Sequence, residues 1–94
     1  MMKIRWSRSA SRDLERIFDR IAKDKPAAAQ RVIQPIYDGC TGLQNFPNRG
    51  RSGRVKGRRE LVFAPLPYIA VYKIKEKEEL VEISRIYHGA QDWP

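Results

Sequence analysis

The spacing of the apolar residues changes once along this chain, and that change limits the folds that the chain can adopt. Between residues 10 and 43 apolar residues recur every three or four positions, as Leu14, Ile17 and Ile21 do, which is the period of a helix with one buried face. From residue 58 to residue 88 they alternate with polar residues, which is the period of a half-buried strand. Helices followed by a run of strands predict an α+β fold, in which the helices cover one face of the sheet.

The breaks between these periodic runs predict the order of the elements. The short alternating run "KIRWS" predicts a first strand, and the residues after it predict two helices separated only by "KDK". So short a connection predicts an antiparallel hairpin, and Pro35 predicts a kink or an early end in the second helix. Three strands follow in "RRELVF", "YIAVYKIK" and "LVEISRIYH". We therefore predict one domain over residues 1–94, β-α-α-β-β-β, with the hairpin on one face of a mostly antiparallel sheet.

Strict alternation along the strands assigns side chains to the two faces of this sheet. In the last strand Val81 and Ile83 are predicted to face the core. Arg85 and Tyr87 follow at the next alternate positions, on the same side of the strand, and are expected at the rim of the sheet. The opposite, uncovered face is predicted to carry Arg58, Glu60, Lys73, Glu82, Ser84, Ile86 and His88.

The charge of the chain indicates the kind of partner. Nineteen lysines and arginines against eleven acids give a formal net charge of +8, which favours a polyanion such as nucleic acid, an acidic protein or an anionic membrane face. A single cysteine, Cys40, cannot form an internal disulfide and is expected as a small core residue. Because no apolar stretch is long enough to span a bilayer, we expect a soluble, cytoplasmic protein without a membrane partner.

The positive charge is concentrated in residues 49–59, "RGRSGRVKGRR", called here the basic segment. This segment contains six cations, three glycines and no acid. Glycine lets the backbone approach a ligand closely, and the planar guanidinium fork of arginine matches a phosphate group. Two interpretations stay open, a flexible solvated loop and a phosphate-binding surface.

Three stretches, "GRSGRVKGRRELVF", "PYIAVYKI" and the terminal "RIYHGAQDWP", make the chain resemble the RelE/ParE superfamily of bacterial toxins from type II toxin–antitoxin systems. The resemblance implies a basic toxin that a cognate antitoxin holds inactive. RelE-like members cut mRNA in the ribosomal A site without a metal or another cofactor, whereas ParE-like members poison DNA gyrase. We predict ribosome-dependent mRNA cleavage, with gyrase inhibition as the alternative. The charge alone would also suit a non-toxic nucleic-acid-binding module.

The chemistry of RNA cleavage, taken with this resemblance, indicates candidate site residues. Attack by a ribose 2′-OH needs a base, an acid for the departing 5′-oxygen, and cations around the phosphate. His88 is the predicted acid or base, because imidazole titrates near neutral pH, and Glu60 is its predicted partner. Arg59 and Arg85 are the predicted phosphate clamps. The predicted RNA contacts are the cations Arg51, Arg54, Lys56 and Arg58 and the stacking residues Tyr87 and Trp93.

One position departs from the ribosome-dependent pattern of the superfamily. Such members carry an arginine directly after the tyrosine that opens the middle strand, where this chain has Ile69 after Tyr68. An aliphatic side chain cannot stabilise the charge that builds on a phosphate under attack, so another arginine must replace it if the chain cuts RNA. Gyrase inhibition therefore stays open beside mRNA cleavage.

Overall fold

The computed structural model describes residues 1–90, which form two α-helices and five strands. In chain order these elements are β1 (Lys3–Trp6), α1 (Arg8–Ala22), α2 (Pro26–Thr41), β2 (Arg51–Ser52), β3 (Arg59–Val62), β4 (Tyr68–Lys75) and β5 (Leu80–His88). A 3-10 turn follows α2 at Gly42–Gln44, and another joins β4 to β5 at Glu76–Glu78. Trp93, which the sequence predicts as a stacking residue, lies outside the described residues.

The strands form one mixed sheet with the order β1-β5-β4-β3-β2. β1 runs parallel to the first half of β5, with Lys3 opposite Leu80 and Trp6 opposite Ile83, and the other neighbours are antiparallel. The predicted α+β class and the predicted order of helices and strands are confirmed. The two-residue strand β2 is an addition, since it lies inside the basic segment, where no alternation of apolar residues marks a strand.

Both helices lie on one face of the sheet, and the core forms between them. Ile36 from α2 and Tyr72 and Ile83 from the sheet are fully buried, and Ile17 from α1 is nearly so. Full burial of such an aliphatic side chain contributes about 1.5 to 3 kcal/mol. Cys40 is confirmed as a small core residue, and burial raises the pKa of its thiol to about 12.

Ser7 starts α1 and also ties it to the sheet. Its hydroxyl accepts a hydrogen bond from the Ala10 N–H at 3.0 Å, which satisfies one of the unpaired donors at the helix start. The same hydroxyl donates to the Ser84 carbonyl at 2.9 Å. The entry of α1 is therefore fixed against β5, the strand that carries His88.

The helix α2 continues through Pro35. Its buried residues Ile36 and Cys40 both follow the proline, so their packing holds the chain helical as far as Thr41 despite the lost backbone bond. The predicted early end at Pro35 is therefore wrong. Among residues 1–90, no helix is both long enough and apolar enough to span a membrane.

An irregularity in β5 changes which side chains face the helices. Val71 lies opposite Arg85, but Tyr72 lies opposite Ile83, so Ser84 is an extra residue without a partner on β4. Such a bulge reverses the alternation beyond it. Ile86 accordingly joins the core with 3% of its surface exposed. The prediction that Ile86 and His88 lie on the uncovered face is therefore wrong, because it assumed a regular strand.

Candidate functional site

His88 lies at the end of β5 on the face that the helices cover. It pairs with Tyr68 of β4, and the two rings meet edge to face, with centroids 5.4 Å apart. Its Nδ1 accepts a hydrogen bond from the Ala90 N–H at 3.1 Å. The imidazole therefore turns toward α1 and away from the uncovered sheet face, where sequence alternation had assigned it.

A cavity of about 120 Å³ separates this end of β5 from α1. The described residues that line it are arginines, a carboxylate, tyrosines, two isoleucines and the histidine: Asp13, Arg16, Ile17, Arg20, Tyr68, Arg85, Ile86, Tyr87 and His88. We call it the His88 cavity. Of the predicted catalytic residues, it brings together His88 and Arg85.

Asp13, which the sequence analysis missed, fixes Arg85 at this cavity. The buried Asp13 carboxylate accepts hydrogen bonds from Arg85 Nε at 2.7 Å, Arg85 Nη2 at 3.1 Å and the Ile86 N–H at 2.9 Å. The hydrogen bond to Asp13 is the main cause that raises the pKa of Arg85 above its ordinary value. A carboxylate three residues after Ala10 and four before Ile17, on the apolar face of α1, is the signal that could have identified it.

Glu60 lies on the uncovered face, as predicted, but the basic segment buries it. Only 3% of its surface is exposed. Its Oε1 accepts hydrogen bonds from Nε and Nη2 of Arg51, both at 3.1 Å. Its Oε2 accepts a hydrogen bond from the Arg54 N–H at 3.0 Å. Glu60 thereby holds the start of the basic segment against β3.

The structure does not bring Glu60 to His88. Glu60 is opposite Val71, which is opposite Arg85, and His88 is three residues further along β5. Two strand spacings and three residues separate their backbones by roughly 14 Å, and the side chains lie on opposite faces. Direct proton transfer or orientation between these two groups is excluded by that separation.

Arg59 supports the chain before β2. Its Nε donates to the Gly50 carbonyl at 3.0 Å, and its Nη2 donates to the carbonyls of Gly50 and of Asn48, the latter at 3.1 Å. These bonds occupy much of the guanidinium donor fork. The predicted phosphate clamp Arg59 is therefore already engaged by backbone of the same chain.

Tyr72 anchors the same turn from the core. Its buried hydroxyl donates to the Pro47 carbonyl at 2.7 Å and accepts from the Gly50 N–H at 2.9 Å. A Cβ at Gly50 would lie 2.6 Å from that hydroxyl and 2.7 Å from the Glu60 carbonyl oxygen, closer than side chains approach. The entry to the basic segment therefore requires a glycine at this position.

The comparisons with known proteins identify the family. The model for "ParE toxin of type II toxin-antitoxin system, parDE" matches residues 4–93. The chain belongs to the ParE toxin family. This ParE-family chain is 44% identical over 92 residues to "Putative toxin Y4kP" of Sinorhizobium fredii, covering 98% of this chain and 93% of the relative. It is 36% identical over 91 residues to "Toxin RelE2" of Caulobacter vibrioides, covering 97% and 99%.

Solved structures agree with that family membership. The chromosomal ParDE system of P. aeruginosa contains a chain that matches this one with a TM-score of 0.84 at 31% identity, covering 94% of this chain and 96% of the other. A chain of the RelBE2 toxin–antitoxin complex of Mycobacterium tuberculosis matches with a TM-score of 0.69, covering 93% and 96%. At 22% identity, this second likeness concerns the fold alone.

In the outer part of the basic segment of this ParE-family chain, Arg54 and Lys56 are exposed and Arg58 is partly buried. The side chains of Lys56 and Arg58 make no hydrogen bond or ion pair within residues 1–90. Gly57 between them has a φ of +82°, a left-handed conformation that suits glycine. Lys56 and Arg58, with Arg51 and Arg54, stay predicted nucleic-acid contacts, and Arg51 is already paired with Glu60.

Tyr87 lies on the uncovered face, because the bulge at Ser84 also reverses the side of the strand on which Tyr87 lies. It packs against Ile69 and Val71 of β4, and the Arg85 guanidinium lies 5.0 Å from its ring centre. The expectation that Tyr87 shares a face with Val81 is therefore wrong. The nearly buried Ile69 occupies the position at which a ribosome-dependent pattern places an arginine.

Glu82 organises the charges further along the uncovered face. It pairs with Arg5 of β1 at 3.0 Å and with Lys73 of β4 at 3.7 Å. Burial acts to raise its pKa, but the hydrogen bond from Arg5 and the charges of Lys75 and Lys73 outweigh burial and lower it. Among residues 1–90, no group of three or more histidine, cysteine, aspartate or glutamate side chains is arranged to hold a metal ion.

Proposed function

We propose that this chain is the toxin of a type II toxin–antitoxin pair and that it acts by binding DNA gyrase, not by cutting RNA. One observation carries the choice of target class: Glu60 and Arg59 do not line the His88 cavity, and these two residues and Arg85 are already engaged by other groups of the same chain. Glu60 accepts hydrogen bonds from Arg51 in the basic segment, Arg59 donates to backbone carbonyls, and Arg85 pairs with Asp13. The family match to ParE toxins supports the same target.

Cleavage of RNA requires these groups to converge on one phosphate. A general base must come within about 2.6 to 3.2 Å of the proton that it removes, and cations must surround the oxygens that gain charge. With Glu60 and His88 on opposite faces and Ile69 on the open one, a single phosphate cannot meet both predicted catalytic groups. Binding to a large target needs no such convergence, since a basic surface can act over its whole extent.

The proposed antitoxin is an acidic, partly disordered protein segment. The solved relatives are parts of toxin–antitoxin systems, and the net charge of +8 favours an acidic partner. On the face away from the helices Val62 is 43% exposed, and next to it Tyr87 packs over the nearly buried Ile69 and Val71. An amphipathic helix or an added strand can contact Val62 and the half-buried Tyr87 between the cations of this face.

A supercoiling assay tests the target. Purified chain is added to DNA gyrase and relaxed plasmid, alone and after mixing with its antitoxin. We expect supercoiling to fall with added toxin and to recover with antitoxin, and His88→Ala to inhibit about as well as the unchanged chain. Supercoiling that stays at its starting rate at saturating toxin would falsify the proposal.

Ribosome-dependent mRNA cleavage stays as a second candidate, since one observation favours it. His88 shares its cavity with Arg16, Arg20 and Arg85, so an imidazole and several cations meet there without Glu60. Purified ribosomes carrying a defined message, mapped by primer extension, test it. A-site cuts that appear only with toxin and disappear in His88→Ala would replace the gyrase proposal, whereas intact message removes this candidate.

A further inference from the structure

We infer that the sheet face away from the helices carries a binding surface for the phosphate backbones of duplex DNA. The surface is formed by Lys3 and Arg5 of β1 and by Lys73 and Lys75 of β4, with Glu82 of β5 between them. We call these five residues the sheet patch. It is separate from the basic segment and from the His88 cavity, and the gyrase proposal does not require it.

The alternation along the strands puts the sheet patch on one face. Residues that pack against the core, such as Ile4 in β1 and Ile74 in β4, alternate with the residues of the patch. Because successive side chains of a strand point to opposite faces, the patch lies away from the helices. Two ion pairs across the strands agree with this placement, since Glu82 contacts Arg5 at 3.0 Å and Lys73 at 3.7 Å. The Arg5 side chain is still 52% exposed and that of Lys73 35%.

The register of the strands sets the spacing of the four cations. Lys3 and Lys75 lie opposite the same residue of β5, and Arg5 and Lys73 both lie opposite Glu82. β1 and β4 are two strand spacings apart, about 10 Å, and residues on one face of a strand repeat about every 7 Å. The Cα atoms of the four cations therefore lie near the corners of a rectangle of about 10 by 7 Å.

The sheet patch has an excess of positive charge. Glu82 is its one carboxylate and pairs with Arg5 and Lys73, whereas the side chains of Lys3 and Lys75 form no hydrogen bond or ion pair within residues 1–90. The acidic turn at residues 76–79 lies beyond the ends of β4 and β5 and forms no ion pair with the patch in that part of the chain. Four cations around one carboxylate favour a polyanion as the partner.

The position of Glu82 favours duplex DNA over an acidic peptide. An extended peptide that reached all four cations would lie along β5, and its carboxylates would meet the carboxylate of Glu82. The phosphates of duplex DNA instead follow the two sides of a groove, and the major groove is about 12 Å wide. Glu82 would then face the groove, where a carboxylate can accept a hydrogen bond from N4 of cytosine.

The spacing of the cations suits the two phosphate lines of a groove. The line on β1 and the line on β4 are about 10 Å apart, and the long side chains of lysine and arginine can cover the remaining distance to phosphates on either side of the groove. Within each line the spacing of about 7 Å corresponds to two nucleotide steps of about 3.4 Å along one strand. One duplex can therefore contact both lines at once.

The test measures binding of the full chain to a labelled DNA duplex by fluorescence anisotropy over a range of salt. Lys3→Gln/Lys75→Gln is compared with Lys23→Gln/Lys25→Gln, which removes the same charge from exposed positions between α1 and α2. We expect the slope of log K against log salt to become shallower by about two for the first variant and to stay unchanged for the second. Melting temperatures check that both variants fold, and equal slopes for the two overturn the surface.

A second readout locates the duplex on the unchanged chain and needs no variant. The chain, alone and with the duplex, is treated briefly with a lysine-acetylating reagent, and the modified positions are identified by peptide mass spectrometry. We expect the duplex to slow the modification of Lys3, Lys73 and Lys75 several-fold and to leave Lys23 and Lys25 unaffected. Equal protection of the two sets of lysines, or protection of neither, overturns the surface.

Two competitors test the choice of ligand. A DNA single strand of the same sequence carries one line of phosphates, so we expect Lys3→Gln/Lys75→Gln to weaken its binding less than that of the duplex. Polyglutamate of matched charge is expected to compete weakly. A single strand that is weakened as much as the duplex, or polyglutamate that competes as strongly as the duplex, overturns the assignment to duplex DNA.

Gyrase supercoiling is measured in parallel with the unchanged chain and both variants. Supercoiling that does not fall with the unchanged chain, together with the expected salt slopes, rejects the proposed target and leaves the sheet patch standing. Inhibition of gyrase together with equal salt slopes rejects the sheet patch and leaves the proposed target standing.

Discussion

Asp13 and Arg85 are 72 residues apart in the chain, yet their side chains meet at 2.7 Å. The same carboxylate accepts the Ile86 N–H, so one residue of α1 satisfies both a side chain and the backbone of β5. Beyond Ile83, β5 has no strand neighbour on this side within residues 1–90. Asp13 therefore takes the place of a neighbouring strand and holds the segment that carries His88.

Replacing Asp13 tests this role. We expect Asp13→Asn to lower the free energy of unfolding by about 2 kcal/mol, because hydrogen bonds to a charged group contribute about 1.5 to 3 kcal/mol. Urea denaturation followed by circular dichroism measures the change. Asp24→Asn, at an exposed position after α1, is the matched control and should change little. Equal midpoints for both variants would show that Asp13 does not stabilise β5.

The hydroxyl of Tyr72 gives a second prediction. Tyr72→Phe leaves the buried Gly50 N–H and the Pro47 carbonyl without their partner, at a cost of about 1 to 3 kcal/mol. We expect lower stability and faster amide hydrogen exchange at Gly50. Tyr37→Phe, at a half-exposed tyrosine of α2, should alter neither quantity. Unchanged exchange at Gly50 would mean that the hydroxyl does not anchor the turn.

The hydrophobic period predicted the fold correctly because it reports burial, and burial decides how helices and strands pack. Leu14, Ile17 and Ile21 lie toward the core, as their spacing indicates. The extra residue at Ser84 could not be predicted. The alternation in "LVEISRIYH" is compatible both with a regular strand and with a strand that is shifted by one residue after Ile83. Because of that one residue, His88 lies on the helix-covered face and Tyr87 lies on the uncovered face, each the reverse of the prediction. The partners of Glu60 and Arg85 depend on contacts between distant elements, which no local pattern records.

The thiol of Cys40 yields a prediction about reactivity. Its pKa is raised to about 12 by burial, and thiolate is the form that reacts, so a native chain at neutral pH should resist a thiol reagent such as DTNB. Labelling should follow global unfolding as urea is added. The control is the chain unfolded in guanidinium, in which its one cysteine is exposed and gives the labelling signal of one thiol per chain. Complete labelling of the native chain within the mixing time would contradict this burial.

Glu82 gives a prediction about how the stability of the fold depends on pH. Its pKa lies below the ordinary value near 4.5 in the folded chain, so its pairing with Arg5 and Lys73 stabilises the fold above that pH and is lost as pH falls through the lowered pKa. We expect the difference in stability between the unchanged chain and Glu82→Gln to shrink as the pH falls below about 4.5. Glu78→Gln, in the exposed turn before β5, serves as the control. A difference that is constant from neutral pH to pH 3 would exclude the pairing.

The separation of Glu60 from His88 makes a prediction about function. Residues that work as one acid–base unit show strongly non-additive losses, whereas sites more than about 7 to 10 Å apart without shared partners add within about 0.3 to 0.5 kcal/mol. We expect the effects of His88→Ala and Glu60→Gln on stability and on the toxin concentration that halves gyrase supercoiling to add in the double variant. The same three variants are assayed on ribosomes. On ribosomes, two single variants that each lose mRNA cleavage, together with a double variant that loses no more than either single one, would restore a shared catalytic role in spite of the opposite faces on which the two side chains lie.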